Sequence, residues 1–303
     1  MKSFQFQFTL VVAAIFVPVL SGAAESPSFT SFDIPGVAPA SFFVPGINDE
    51  GVIAGTYSLA DGSSFGFTRQ PGGRIRAPIA DPNAAGLTTL HSINEEGTKA
   101  GFYCGNDNVT CHGFVLDEGK FTTYDVPGAA STAVRSINNR GDLAGTYYLT
   151  LDPNDVGMGF IATARGDLIT FAPPDPTTTG INIGGLNDRR TAVGFAVTSS
   201  ANSGLLRKPD GNFVNVAYPG AAVTHLFSIN DCGIFSGWWA QGGVAHGLYG
   251  RSNQLNSFDL AGASDVRSQG INNKGQIAGQ WIDANGAVHG FVTAPIPGAA
   301  CDD

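Results

Sequence analysis

The sequence contains little charge and few of the residues that favour helices. Charged residues make up 14% of the 303 positions, against roughly 25% in an average soluble protein, and only two methionines are present. This composition argues against a helical bundle or a coiled coil. Aromatic residues reach 10%, which excludes intrinsic disorder, because disordered chains are poor in aromatic residues and rich in charge.

Positive charge is particularly scarce. Lys and Arg together number 16 against 25 Asp and Glu, so the formal net charge is -9 at pH 7. Phosphate backbones and anionic membrane surfaces are bound through clusters of Lys and Arg. We therefore expect neither nucleic acid nor a membrane surface as a partner.

Motifs of common enzyme classes are also missing. The sequence has no Gly-x-Ser-x-Gly elbow and no phosphate-binding loop. Its four cysteines lack histidines at zinc-ligand spacing. We predict no catalytic residue, no metal site and no cofactor.

Apolar runs are short, and the one at the N-terminus has the pattern of an export signal. Lys2 precedes the apolar stretch Thr9 to Leu20, and the small residues Ser21 to Ala24 follow it. The stretch falls short of the roughly 20 residues that a membrane helix needs. We expect residues 1–24 to be a signal peptide cleaved near Ala24, and the protein to be secreted or periplasmic without a membrane span. The alternatives are an N-terminal strand and an uncleaved anchor.

Glycine and proline are abundant, with 41 and 17 copies, and much of the glycine belongs to an internal repeat. An Ile-Asn motif, once Leu-Asn, recurs every 42 to 49 residues, with its asparagines at Asn48, Asn94, Asn138, Asn187, Asn230 and Asn272. Each copy except the fourth has Gly three residues later, and most copies continue with an apolar-small-Gly step such as Ile53-Ala54-Gly55 and with an x-Gly-Phe or x-Gly-Leu step. The fourth copy has Arg190 in place of the turn glycine.

The repeat predicts four short strands per unit. Asn-x-x-Gly between apolar runs favours a tight hairpin turn, with Gly in the left-handed conformation. Antiparallel four-strand units of this length are typical of β-propeller blades. We predict an all-β fold in which residues 25–303 form one six-bladed β-propeller domain. The segment 29–33 would supply the last blade with its fourth strand and so close the ring. An open solenoid of the same repeats is the alternative.

The repeat motifs resemble those of bacterial secreted HAF-repeat proteins, named after the step that reads His112-Gly113-Phe114 in this chain. The resemblance extends over essentially all of the sequence after residue 24. It implies secretion, and it implies no catalytic residue, because the family is defined by its repeats.

The repeat also selects one pairing of the four cysteines. Cys104 and Cys111 flank a predicted hairpin, and an exported chain with an even number of cysteines is expected to form disulfides. Cys232 lies in the turn that follows a repeat asparagine, and Cys301 follows the last predicted strand. In the predicted propeller both positions lie on the same face. We predict the disulfides Cys104–Cys111 and Cys232–Cys301.

The innermost strand of each unit supplies the candidate binding residues, because propeller pockets lie around the central channel. Three residues before the Asn stand Pro45, His91, Arg135, Gly184, Phe227 and Gln269; five before it stand Phe43, Thr89, Ala133, Asn182, His225 and Arg267. Strand alternation predicts that both sets face the channel. We propose His91, Arg135, His225 and Arg267 as ligand-binding residues, with a solvent-filled channel as the alternative.

These two sets contain no carboxylate, whereas glycoside hydrolysis requires a pair of them. We therefore expect a secreted, non-catalytic and monomeric propeller that binds an extracellular protein, a carbohydrate or an anionic ligand. The alternative is a lyase or hydrolase acting on an anionic substrate, with His91 or His225 as general base and Arg135 or Arg267 holding the anion.

Overall fold

The computed structural model describes residues 26–107, 109–152, 154–175, 177–198 and 202–301. The predicted signal peptide, residues 1–24, lies outside the described residues. Within the described ranges the regular secondary structure is entirely β. No helix in these ranges has the length and apolarity to cross a membrane.

The described residues form 24 strands. In chain order these are β1 (Phe29–Phe32), β2 (Ser41–Ile47), β3 (Ile53–Ser58), β4 (Ser64–Arg69), β5 (Ile75–Ile79), β6 (Leu87–Ile93), β7 (Lys99–Cys104), β8 (Cys111–Asp117), β9 (Lys120–Tyr124), β10 (Ser131–Ile137), β11 (Leu143–Tyr148), β12 (Met158–Ala162), β13 (Leu168–Phe171), β14 (Thr178–Leu186), β15 (Ala192–Thr198), β16 (Asn202–Arg207), β17 (Phe213–Val216), β18 (Val223–Ile229), β19 (Phe235–Gln241), β20 (Val244–Arg251), β21 (Gln254–Phe258), β22 (Ala263–Ile271), β23 (Ile277–Asp283) and β24 (Val288–Thr293).

Consecutive strands pair antiparallel in sets of four, as the repeat predicted. The sets that begin at β2, β6, β10, β14 and β18 each run through four strands of the chain. Single parallel contacts, Ser64 with Leu87 and Asn202 with Val223, join two pairs of neighbouring sets into eight-stranded sheets.

The last set takes its fourth strand from the other end of the chain. β1 pairs antiparallel with β24, with Phe29 opposite Thr293 and Phe32 opposite Gly290, and the sheet order is β1-β24-β23-β22. This pairing confirms the predicted partner of the N-terminal strand. The strand ends at Phe32 and not at the predicted residue 33, because Asp33 leaves the ladder and places its Oδ1 2.8 Å from His289 Nδ1.

A β-bulge interrupts the first strand of every set. The ladder shifts at the residue three positions before each repeat asparagine, for example between Leu90 and Ser92 and between Leu226 and Ser228. A bulge leaves one residue unpaired and redirects its side chain. At the bulge the neighbouring strand approaches closely: a Cβ on Gly237 would lie 1.9 Å from the His225 carbonyl oxygen. The glycine of the apolar-small-Gly step therefore has a packing role.

The x-Gly-Phe step builds the core between the sheets. The aromatic or Leu residues of this step are among the most buried side chains, and Phe67, Phe114, Phe160 and Phe291 are fully buried. The glycine makes room for a side chain of the fourth strand, since a Cβ on Gly247 would lie 2.6 Å from the Phe258 ring.

Both predicted disulfides are present. Cys104 and Cys111 face each other at the end of the β7–β8 hairpin with Cα atoms 4.0 Å apart. Cys232 and Cys301 have Cα atoms 5.5 Å apart and are 69 residues apart in sequence. The second bond ties residues after β24 to the turn between β18 and β19, and no free cysteine occurs among the described residues.

Candidate functional site

The repeat asparagines form a closed ring of hydrogen bonds. Each side-chain Nδ2 donates to the main-chain carbonyl of the next repeat asparagine, in the order Asn48, Asn94, Asn138, Asn187, Asn230, Asn272 and back to Asn48, over 2.9 to 3.4 Å. Each Oδ1 accepts the main-chain N–H four residues later. The sequence predicted that these residues form turns. The structure shows that they also connect neighbouring units through the hydrogen bonds of Nδ2.

The residue after each asparagine forms a second ring around the same axis. Its main-chain N–H donates to a side-chain oxygen of its counterpart in the next unit, in the order Asp49, Glu95, Asn139, Asp188, Asp231, Asn273 and back to Asp49, over 2.7 to 3.0 Å. The ring lines a cavity of about 70 Å³. We refer to these six residues as the acidic ring.

The acidic ring places four carboxylates near the axis, outside the two residue sets considered from the sequence. Burial is the main cause that raises the pKa of Glu95. The main-chain hydrogen bond from Asp49 opposes the shift, and repulsion from the carboxylates of Asp49, Glu50 and Asp231 adds to it. Burial and repulsion from Asp231 likewise raise the pKa of Asp188. The two sets do lack carboxylates, but they include only positions before the asparagine and therefore missed these acidic side chains. Among the described residues no cluster of three or more His, Cys, Asp or Glu has a geometry that would hold a metal ion.

The predicted ligand-binding residues lie on the inner strands that lead into the acidic ring, and two of them touch directly. His91 Nε2 lies 3.1 Å from Arg135 Nη1. The Arg135 guanidinium lies over the Phe102 ring at 5.2 Å. His91 is 2% exposed, and its Nδ1 has no hydrogen-bond partner among the described residues.

The other two predicted residues meet through a tryptophan. His225 stacks on Phe195 with ring centroids 3.8 Å apart and contacts Trp238 at 4.5 Å. The Arg267 guanidinium lies over the Trp238 ring, 5.2 Å from its centroid. Its Nε is 2.9 Å from the Asp265 carboxylate, so its charge is compensated.

Two phenylalanines join these halves into one cluster. Phe43 lies 4.6 Å from His91 and 5.5 Å from Phe227, which in turn lies 5.9 Å from His225. The structure therefore brings all four predicted residues into a continuous, partly exposed surface. We call it the aromatic mouth; it comprises Phe43, His91, Phe102, Arg135, Phe195, His225, Phe227, Trp238 and Arg267.

Burial controls the charges of the aromatic mouth. It lowers the pKa of His225 to about 4, with a further contribution from Arg267, and holds the pKa of His91 well below its usual range, aided by Arg135. Both imidazoles are therefore neutral at pH 7. Burial also lowers the pKa of Arg135 to about 10, which leaves it charged. No carboxylate of the described residues lies within 4 Å of Arg135, and its buried Nε has no hydrogen-bond partner.

Sequence reasoning missed the aromatic residues on the second strands. Phe102, Phe195 and Trp238 pair directly with residues five before the repeat asparagine. A signal for them existed: they follow the glycine of the apolar-small-Gly step, where other units have Thr or Gln. This variation between units marks positions that face the channel.

The remaining three histidines lie elsewhere, on the third strands. The Nδ1 atoms of His112, His246 and His289 each lie 2.8 Å from a carboxylate oxygen, of Asp125, Asp259 and Asp33 respectively. Each ring also packs on an aromatic side chain. These pairs tie the third strand to the segment that follows the fourth.

Comparisons with known proteins relate the fold to solved structures. No protein-family model and no curated protein sequence matches the chain. A mutant of the Aleuria aurantia lectin in complex with Fucalpha1-6GlcNAc is similar over 86% of this chain and 97% of its own, with a TM-score of 0.54 and 11% identity. A triple mutant of AofleA from Arthrobotrys oligospora is similar over 89% and 84%, with a TM-score of 0.51 and 15% identity. The β-propeller domain of the Trilobed protease from Pyrococcus furiosus covers 84% and 95%, with a TM-score of 0.49 and 10% identity. With the four-stranded sheets, the likeness to the first two structures supports a β-propeller fold.

Proposed function

We propose that the chain is an exported, six-bladed β-propeller of the HAF-repeat type that binds acidic carbohydrate at the aromatic mouth without catalysis. The proposal takes residues 25–303 as one domain after cleavage near Ala24. The two closed hydrogen-bond rings support six units, and the pairing of β1 with β24 supports closure by the N-terminal strand. The two disulfides fit an oxidising compartment.

The observation that carries the ligand class is the combination of aromatic rings with the uncompensated Arg135. The C–H faces of sugar rings pack on aromatic side chains, and Phe102, Phe195 and Trp238 are partly exposed. A guanidinium without a carboxylate partner favours an anionic group, which it binds through parallel hydrogen bonds. Carboxylated sugars, the uronic acids, combine both features.

The protonation states favour binding over catalysis. A general base is most effective when its pKa lies near the operating pH. His225, with a pKa of about 4, is a weak base, and the pKa of His91 is also well below its usual value. The lyase or hydrolase alternative therefore lacks a strong base at this mouth.

Calorimetric titration with uronic-acid oligosaccharides and their neutral counterparts tests the proposal. We expect the wild-type protein to prefer the acidic series. Arg135→Gln should weaken acidic ligands about tenfold or more and leave neutral ones unchanged, because a hydrogen-bonded charge pair is worth roughly 1.5–3 kcal/mol. Trp238→Ala should weaken both series.

Arg165→Gln is the matched control, because Arg165 is exposed in the turn before β13 and lies outside the aromatic mouth. Acidic-ligand binding that is absent in the wild type, or equal in Arg135→Gln and Arg165→Gln, would contradict the proposal. Release of an unsaturated or hydrolysed product during titration would favour the enzyme alternative.

A further inference from the structure

A groove separate from the aromatic mouth lies between the first two four-strand sets. It has a volume of about 1250 Å³ and runs between β5 on one side and the turn and strands of the next set on the other. Its apolar lining includes Val52, Ile75, Ile79, Leu116 and Phe121. This is enough space and apolar surface for a small organic ligand.

Lys99 breaks the repeat inside this groove. The residue at its position is apolar and buried in the other units, where it is Ile53, Leu143, Ala192, Phe235 or Ile277. Lys99 pairs with Ile93 in the same register, so the substitution places an ammonium group where the other units have core. That ammonium donates to the Gly97 carbonyl. Burial is the main cause that lowers the pKa of Lys99; the nearby Arg76 also lowers it, while Asp117 opposes the shift.

Two arginines line the same groove. Arg74 and Arg76 are exposed, and their guanidinium groups make no hydrogen bond within the described part of the chain. In those same ranges no carboxylate lies within 4 Å of Lys99, Arg74 or Arg76. Three of only 16 Lys and Arg residues are thus gathered in one groove, each without an ion-pair partner in the described part of the chain.

Carboxylates in the same groove limit the charge of a ligand. Glu50, Glu95 and Glu96 also line it, and Glu95 belongs to the acidic ring. These three carboxylates would repel a polyanion. A ligand with a single anionic group can bind Lys99 and the two arginines through that group and pack its apolar body on β5. The charge distribution therefore favours a monoanion.

We propose that this groove is a second binding site, for a small amphipathic ligand in which one anionic group contacts Lys99, Arg74 and Arg76 and an apolar body packs on Ile75, Ile79 and Phe121. The site is independent of the carbohydrate proposal, because the residues that line this groove include none of the aromatic mouth.

Fluorescence titration with two matched dyes tests this site. Anilinonaphthalene sulfonate carries one anionic group on an apolar body, and phenylnaphthylamine has the same body without the charge. The full-length wild-type protein should bind the sulfonate more tightly. Lys99→Ile installs the residue type of the other units, so the fold should persist; it should weaken the sulfonate about tenfold and leave the uncharged dye at least as tightly bound.

Two further variants locate the bound dye. Arg76→Gln should also weaken the sulfonate, whereas the control Arg165→Gln, in the exposed turn before β13, should leave it unchanged. The proposal is overturned if the wild type binds no sulfonate, if Lys99→Ile leaves its affinity unchanged, or if Arg135→Gln abolishes binding. Since the carbohydrate titration depends on Arg135 and this one on Lys99, either proposal can fail alone.

Discussion

Two of the five histidines lie in the aromatic mouth, and burial there suppresses their protonation. His225 is packed between Phe195 and Trp238, with Asn202 Nδ2 3.1 Å from its Nε2. Arg267 adds repulsion against a charged imidazole. At the scale of single residues, the low pKa of His225 therefore makes the stability of the folded protein depend on pH.

We expect His225→Phe to reduce the acid sensitivity of the protein. In the folded state the pKa of His225 is about 4, below the roughly 6.5 of an unfolded chain. As pH falls from about 6.5 to 4, His225 binds a proton in the unfolded state but not in the folded state. The free energy of unfolding therefore decreases, by up to about 3 kcal/mol. Phenylalanine keeps the ring stack without the titration.

Urea unfolding at pH 7 and pH 4.5 measures this effect. The carboxylates and His91 titrate in both proteins and cancel in the difference. An equal loss of stability in wild type and His225→Phe would show that His225 is not the responsible group.

At the scale of elements, the Asn turn has two functions at once. In the turn after β14, Asn187 Oδ1 accepts from Thr191 N at 2.9 Å, and Nδ2 donates to the Asn230 carbonyl at 3.0 Å. The same turn carries Arg190 at φ 61°, in the left-handed region where the other units have glycine. Arg190 Nε binds the Asp142 carboxylate at 2.9 Å. Although burial opposes ionisation of Asp142, hydrogen bonds from Arg190 and others lower its pKa to about 2. The unfavourable left-handed backbone conformation of Arg190 is thus accompanied by an ion pair with the neighbouring unit.

We expect Asn187→Asp to destabilise the protein by about 3 kcal/mol at pH 7. The change keeps the turn acceptor and replaces the donor with a carboxylate oxygen that faces the Asn230 carbonyl at a site only 3% exposed. Urea unfolding compares it with Asn253→Asp, which lies in the exposed turn between β20 and β21. The control should change stability by less than about 0.5 kcal/mol. Similar values for both variants would mean that the ring of asparagine contacts contributes little.

At the scale of the whole molecule, closure depends on the side chains of β1 as well as on its ladder. Phe32 lies against Gly290 of the last set and also contacts Phe42 and Phe67 of the first. Phe258 occupies the corresponding place against Gly247, entirely within consecutive strands. The two phenylalanines are 8% and 6% exposed, so they make a matched pair.

We expect Phe32→Ala and Phe258→Ala to cost about 3 to 5 kcal/mol each, the usual loss for a buried phenylalanine. Comparable losses in denaturant unfolding would show that β1 is an integral part of the last sheet. A loss below about 1 kcal/mol for Phe32→Ala alone would instead indicate a strand that detaches easily.

Much of the fold was predictable, because it follows from chemistry repeated in every unit. The Asn turns, the closely packed glycines and the Phe of the x-Gly-Phe step are local signals, and they indicated four antiparallel strands per unit. The same register placed Cys104 opposite Cys111 and identified β1 as the partner of the last strand. The four candidate residues were found as exceptions to the repeat, although their binding role stays a prediction.

The sequence by itself determined the all-β class, the four-strand repeat and both disulfides, since these depend on spacing within a unit, on the count of strands and on the face at which each turn lies. Apart from the Cys232–Cys301 pair, only the tertiary structure decided which residues of different units meet. The bulge redirects His91 and Phe227, the second strands contribute Phe102, Phe195 and Trp238, and the acidic ring forms between neighbouring turns. The physical reason is that these contacts depend on cross-strand register and on the curvature of the ring, which no single repeat encodes.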